Sequence, residues 1–287
     1  PAPRAGRLGA FMSSIKDLLQ AAVLPDSPTP RLDAELLLAA ALGKPRSFLH
    51  TWPERAPEPQ QQTAFYRMLE RRLSGEPVAY ILGHQGFWSL DLQVEPHTLI
   101  PRADTELLVE TTLQLLPEGA SRVLDLGTGS GAIALALAAE RPQWQVMGVD
   151  RIPQAVQLAE RNRQRLGLEN VCLALGHWFS ELTGQSFSAI VSNPPYIAAS
   201  DRHLQQGDVR FEPSSALVAG EDGLDDIRTI IHQAPDFLHD GGWLLLEHGF
   251  DQADAVRTLL IGRGFAAVES RCDLSGHQRI SMGQWQA

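Results

Sequence analysis

Between Arg122 and Gln284 short apolar runs alternate with helix-patterned segments, and that alternation restricts the fold more than any other feature. Strands are expected at 122–126, 145–149, 171–175, 187–191 and 243–247, with helices at 131–140, 153–166, 225–238 and 252–262. A run such as Phe187–Val191, apolar at nearly every position, needs cover on both faces, as the strands of a parallel sheet have. The pattern predicts an α/β fold, a doubly wound, Rossmann-like, mostly parallel sheet. Two more strands, 266–271 and 279–284, follow with no helix between them, so the last strand should be antiparallel.

The first strand runs into Asp125-Leu126-Gly127-Thr128-Gly129-Ser130-Gly131. Glycines at these spacings let the backbone turn sharply and approach a ligand, and the N-terminus of the following helix favours a negative group. The loop lacks the Gly-Lys-Ser/Thr of a phosphate loop and is not the Gly-x-Gly-x-x-Gly dinucleotide form. Gly-x-Gly-x-Gly suits a ligand without a pyrophosphate, such as S-adenosylmethionine, whose carboxylate could use the exposed amides. Asp150 ends the second strand, where an acidic side chain takes ribose hydroxyls. Trp178, after the third strand, either covers an adenine ring or belongs to the core.

The fourth strand stops at Asn193-Pro194-Pro195-Tyr196. Proline cannot continue a ladder and holds the residue before it extended, so Asn193 is fixed at the carboxyl edge of the sheet, where open α/β sheets bind ligands. An amide or aromatic amine nitrogen has a delocalised lone pair and protons too weakly acidic for a side-chain base. The Asn193 side-chain oxygen and the Pro194 carbonyl could each accept one of its N–H groups, orienting it and stabilising charge as it attacks an electrophile. Tyr196 could pack on the flat target group. Asn-Pro alone means only a strand-ending turn. The long segment from Ala198 to Glu221 is either a substrate wall or loose surface.

Ahead of this domain, helices are expected from Ser13 to Gly43 and from Pro57 to Leu73. Their inward faces should carry Ile15, Leu18, Leu19 and Ala22, then Leu32, Leu36, Leu37 and Ala40, then Phe65, Met68, Leu69 and Leu73. Residues 12–80 form a small helical domain, for partner recognition or simple capping, and 81–98 a β-hairpin linker. Residues 99–287 form the cofactor-binding domain, and 1–11 are read as a vector remnant or disorder ahead of a natural start at Met12. The net charge of −10 argues against a broad phosphate-binding surface, and so against direct nucleic-acid binding. Two distant cysteines fit a reducing cytoplasm, with Cys172 expected in the core. The histidines show no ligand spacing, so no metal is expected, and no segment has transmembrane length.

Together these residues resemble the peptide chain release factor N5-glutamine methyltransferases, the HemK/PrmC family, over nearly the whole chain from Met12. The matching stretches include Leu99–Glu106, Asp125–Ala138, Val149–Arg151, Trp178–Ser180, Ile190–Ile197, Gln205–Pro213 and Leu244–Gly249. The resemblance implies a class I methyltransferase sheet and methyl transfer from S-adenosylmethionine to the Gln of the Gly-Gly-Gln motif of class I release factors, with S-adenosylhomocysteine as product. It implies cofactor contacts from Gly127, Thr128, Gly129, Ser130, Gly131, Asp150, Trp178 and Asn193. Catalysis would fall to Asn193, Pro194 and Tyr196, and the glutamine would be held by these and Pro195, in a monomer with no membrane partner. His177 stands where many relatives carry Asp, and Ala103 replaces a common Pro. Asn-Pro-Pro-Tyr is shared with nucleobase methyltransferases, so another planar nitrogen, in a ribosomal protein Gln or a nucleobase, is the alternative enzyme. A non-catalytic cofactor-binding scaffold is the alternative outside enzymes.

Overall fold

The computed structural model of the protein describes residues 13–286, and the expectation for 1–11 lies outside them. The chain forms two compact units that divide between Leu82 and Gly83.

The first unit holds α1 (Ile15–Ala21), α2 (Pro30–Leu42), α3 (Arg46–Thr51), α4 (Pro59–Leu73) and α5 (Val78–Leu82). Ser14 and Asp17 form a reciprocal capping box that starts α1. Pro30 opens α2, and Gly43, at a φ of 59°, closes it in the left-handed conformation. Ile15, Leu18, Leu37, Leu38, Leu49 and Phe65 make the core. The expected face of α2 is corrected: Leu32 and Ala40 are exposed, while Asp33, Ala34, Leu37 and Leu38 point inward. An ion pair sets that rotation. Buried Asp33 meets Nε of buried Arg72 at 2.7 Å and accepts from the Ser27 and Thr29 hydroxyls. Because Arg72 turns inward, its neighbour Leu73, expected inside, is exposed. An ion pair of this kind leaves no trace in an apolar periodicity.

The second unit opens with a hairpin, β1 (His84–Phe87) and β2 (Leu90–Gln93). A 3-10 turn (Ala103–Thr105) leads into α6 (Glu106–Leu115). The alternating region follows as β3 (Arg122–Leu126), α7 (Ala132–Glu140), β4 (Gln145–Asp150), α8 (Pro153–Leu166), β5 (Val171–Leu175) and β6 (Phe187–Ser192). It ends with α9 (Asp225–Gln233), β7 (Leu238–Glu247), α10 (Ala253–Arg263), β8 (Ala266–Cys272) and β9 (Gln278–Gln284). The hairpin belongs to this unit. Phe87 and Leu92 enter its core, and the Asn162 side chain on α8 accepts from the Gln93 amide and donates to the Gln93 carbonyl. Ile81 and Leu82, expected in the hairpin, are helical. The helix expected to reach Leu238 stops at Gln233, because Pro235 cannot continue it and turns 234–237 into a 3-10 segment.

The seven strands run in the order β5-β4-β3-β6-β7-β9-β8. β3 to β7 are parallel, and β9 is antiparallel to both of its neighbours. Side chains alternate strictly between two cores. Val123, Ala189, Val191 and Leu245 face α6 and α7, whereas Leu124, Ile190, Leu244 and Leu246 face α9 and α10. Helix α7, Ala-rich and apolar all round, is buried along almost its whole length. Cys172 is a correction: it is exposed, because β5 is an edge strand and one of its faces lacks cover. Among the described residues no helix is long and apolar enough to cross a membrane.

Candidate active site

Connections from β3 run toward β4 and β5, and those from β6 toward β7, so the strand order reverses between β3 and β6. A crevice opens at the carboxyl ends of such a pair. Leu126 pairs with Ser192 across it, and the Ser192 hydroxyl donates to the Leu126 carbonyl at 2.7 Å. The glycine loop and the Asn-Pro-Pro-Tyr turn therefore leave the sheet side by side.

The glycine loop is tied to β4. The amides of Gly127 and Thr128 both donate to the Val149 carbonyl, at 2.8 and 3.0 Å. Gly131 caps α7 at a φ of 86°, and a Cβ there would lie 2.9 Å from the Leu135 Cδ1. Asp150 accepts from the Gly129 amide through one oxygen and from the Ile152 amide through the other, both at 2.9 Å. Burial raises the Asp150 pKa, opposed by those two amides and by the charge and amide of Arg151. Beneath the loop lies Asp125, which sequence reasoning did not single out. It is wholly buried and accepts from the Thr128 hydroxyl at 2.7 Å and the Ala134 amide at 3.1 Å. Burial pushes it up to about 7, with the charge of Asp150 adding to the effect. A carboxylate inside the otherwise apolar run 123–126 was the available signal.

These groups line a cleft of about 900 Å³ counting its open mouth, within the usual size of small-molecule sites. Gly127, Thr128, Gly129, Ser130, Asp150 and Trp178 all face it. Gly131 does not; it starts the helix behind. Trp178 is a core residue whose ring also reaches the cleft. It is buried among the residues facing α9, and its ring walls the cleft beside Gly127, 3.5 Å from where a Cβ on Gly127 would stand. Its φ of 52° is strained for so bulky a residue, as is common at ligand sites. His177 is exposed and also lines the cleft.

Asn193 faces this cleft and a second, adjoining pocket, where Tyr196, Asp104, Val209, Leu217 and Arg279 join it. Pro195 lines the first pocket; Pro194 is buried and lines neither. The Asn193 side-chain amide donates to the Thr105 hydroxyl at 3.1 Å, which leaves the amide oxygen as its free end. The Tyr196 hydroxyl lies 3.4 Å from Oε1 of Glu247, the buried last residue of β7, and burial pushes the phenol up. Sequence reasoning did not assign Thr105 and Glu247 to the site. The signal for Glu247 was an acid closing an apolar strand, as Asp150 does.

The segment after the turn is not loose surface. Ile197 and Leu217 to Ala219 are joined by backbone hydrogen bonds, and Glu212 is buried. The Glu212 carboxylate takes the Arg102 guanidinium and, at 3.2 Å, the Ile100 amide. Burial raises the Glu212 pKa despite Arg102. Ser215 and Ala216 are thereby held over the first pocket, and the Ser215 carbonyl accepts from Arg151.

A switch-point crevice with a glycine loop, a strand-end acid and a turn carrying an amide defines a Rossmann-like methyltransferase. The methyltransferase domain family matches residues 117–269, and the PrmC N-terminal domain family matches residues 14–83. A release factor glutamine methyltransferase from Pseudomonas aeruginosa is 66% identical over 274 residues, covering 96% of this chain and 99% of its own. One from Escherichia coli is 50% identical, covering 91% and 95%. The chain belongs to the release factor glutamine methyltransferase family. Solved structures repeat the fold at low identity. A methyltransferase from Pyrococcus furiosus gives a TM-score of 0.53 at 19% identity, over 77% of this chain and 99% of its own. The hMettl16 catalytic domain gives 0.57 at 16%, over 79% and 82%.

Proposed function

We propose that this protein transfers a methyl group from S-adenosylmethionine to the side-chain amide nitrogen of the Gln in the Gly-Gly-Gln motif of class I release factors, in the cytoplasm. The observation that carries this is Asn193 at the junction of two pockets, its amide nitrogen tied to Thr105 and its oxygen free. One pocket suits the donor. The Asp150 carboxylate suits a ribose diol, Trp178 with Ile152 suits an adenine, and the glycine loop at the start of α7 suits a carboxylate. The other pocket suits the glutamine, with Tyr196 beside it.

When bound, S-adenosylmethionine supplies an electrophilic methyl group on a sulfonium. The chain's own part is positioning. Asn193 Oδ1 accepts an N–H bond of the substrate amide, which aligns its nitrogen and favours the positive charge that develops there; the Pro194 carbonyl, expected from the sequence to take the other N–H, belongs to a residue that lines neither pocket. Holding two reactants in line in this way is worth about 7–11 kcal/mol. Segment 198–221, pinned by Glu212, keeps water from the donor pocket. The N-terminal helical unit, which matches the PrmC N-terminal domain, serves partner recognition in this reading.

The test combines the protein, S-adenosylmethionine and a release factor made without its modifying enzyme. Mass spectrometry of the Gly-Gly-Gln peptide should show one added methyl group on the Gln. An unmodified peptide, with cofactor binding confirmed, overturns the substrate assignment.

A further inference from the structure

Asn193 can serve as an acceptor only if its amide is held one way round, since a flipped amide would offer N–H groups to N–H groups. Resonance makes the two orientations nearly the same in shape, so hydrogen-bond partners must choose between them. The partner at Asn193 is Thr105, whose hydroxyl could in principle either accept from Nδ2 or donate to Oδ1. Its choice depends on what it faces on its other side.

That neighbour is Glu247. It is buried, at the end of β7, and its Oε2 has no hydrogen-bond partner. Burial pushes its carboxyl up to about 7, and the charge of Asp104 adds to this. The Thr105 hydroxyl does most to favour the charged form, followed by Arg279 and the Tyr196 hydroxyl. An ionised carboxylate only accepts hydrogen bonds. Thr105 stands beside it and its hydroxyl favours the charged carboxylate; with its proton turned that way, Thr105 accepts from Asn193 Nδ2 and leaves Asn193 Oδ1 toward the pockets.

We propose that Glu247 is a positioning residue for methyl transfer, fixing through Thr105 which end of the Asn193 amide faces the substrate and, through its hydroxyl contact, where the Tyr196 ring stands. This rests on the reading of Asn193 as the acceptor of the substrate amide. Glu247 lines neither pocket, so it touches neither donor nor substrate; its effect lies in the direction of a hydrogen-bond chain. Protonating it, or replacing it by an amide, lets the chain run backwards: the new donor feeds Thr105, Thr105 donates to Asn193 Oδ1, and Nδ2 turns to the substrate.

The test uses the full chain with Glu247→Gln, Thr105→Val and Thr105→Ser. Glu247→Gln should lower kcat by about 10- to 100-fold, a misoriented group at the reacting centre, while the Kd for S-adenosylmethionine stays within about twofold. Thr105→Val should do the same, the double variant should be no worse than either single one, and Thr105→Ser should restore turnover. Wild-type kcat should fall on the acid side of about pH 7, and Glu247→Gln should be low and flat there. Asp104, Arg279 and Tyr196 face Glu247 and remain in every variant. A second readout needs no substrate. The side-chain NH2 resonances of Asn193, assigned by their loss in Asn193→Ala, should titrate with Glu247 in the wild type and not in Glu247→Gln. Wild-type turnover in Glu247→Gln, with unchanged Asn193 resonances, overturns the proposal. Titrating resonances in a protein that leaves release factor unmodified would support the positioning role and overturn the substrate reading instead. Should Glu247→Gln fail to fold, the Thr105→Val and Thr105→Ser pair decides the same question.

Discussion

Replacing Asp150 by Ala should cost cofactor affinity, by an amount its hydrogen bonding bounds. Each carboxylate oxygen has two in-plane acceptor sites. One on each is taken by a backbone amide, from Gly129 on one side and Ile152 on the other, both at 2.9 Å. The carboxylate lines the cleft, and in the proposed reading its remaining acceptor capacity takes the two hydroxyls of a ribose. Hydrogen bonds to a charged group are worth about 1.5–3 kcal/mol each, so losing two gives about 3–6 kcal/mol at most. Water can enter the cleft in the variant and satisfy the stranded amides and hydroxyls, so about 2–4 kcal/mol is the expected loss. At about 1.4 kcal/mol per tenfold, the Kd for S-adenosylmethionine should rise roughly 30- to 1000-fold. Titration calorimetry of both S-adenosylmethionine and S-adenosylhomocysteine measures this, and the two should lose affinity alike because they share the ribose. A change below about threefold, in a protein that folds normally, would refute the ribose role of Asp150.

Asn193→Ala should lower kcat by about 10²-fold, as for loss of a preorganised polar group, with cofactor affinity nearly kept; near-normal turnover would sink the mechanism. Gly131→Ala should destabilise by about 2–5 kcal/mol, combining a left-handed φ with overpacking against Leu135, and urea unfolding reads it. Asp125 carries the clearest pH signature. Its folded pKa of about 7 lies above the ordinary 3.8, so the native state binds more protons between these values and loses stability as pH rises from 4 to 7. Asp125→Asn should therefore gain about 2–4 kcal/mol on wild type at pH 8 and little at pH 4; equal gains at both would refute the burial argument. Arg102→Ala strands the buried Glu212 carboxylate, and segment 198–221 should open locally at a cost of about 2 kcal/mol, seen as faster amide hydrogen exchange confined to that loop.

By itself the sequence determined the parallel sheet, the antiparallel last strand, and the placing of the glycine loop and the Asn-Pro-Pro-Tyr turn at strand ends. Those follow from local chemistry: residues 187–191 are apolar on both faces, the prolines stop the strand, and the glycines permit the turn wherever the chain goes. It misjudged features set by partners far along the chain. The rotation of α2 depends on Asp33 meeting Arg72, thirty-nine positions away. Exposure of Cys172 depends on β5 having a neighbour on one side only. The burial of Asp125 and Glu247, and the tie from Thr105 to Asn193 across eighty-eight residues, exist only once β3, β6 and β7 lie side by side. A carboxylate in a sequence carries no sign of the water it will lose. Only the packed sheet removes that water, and with it decides which acids carry altered protons and which way the Asn193 amide faces.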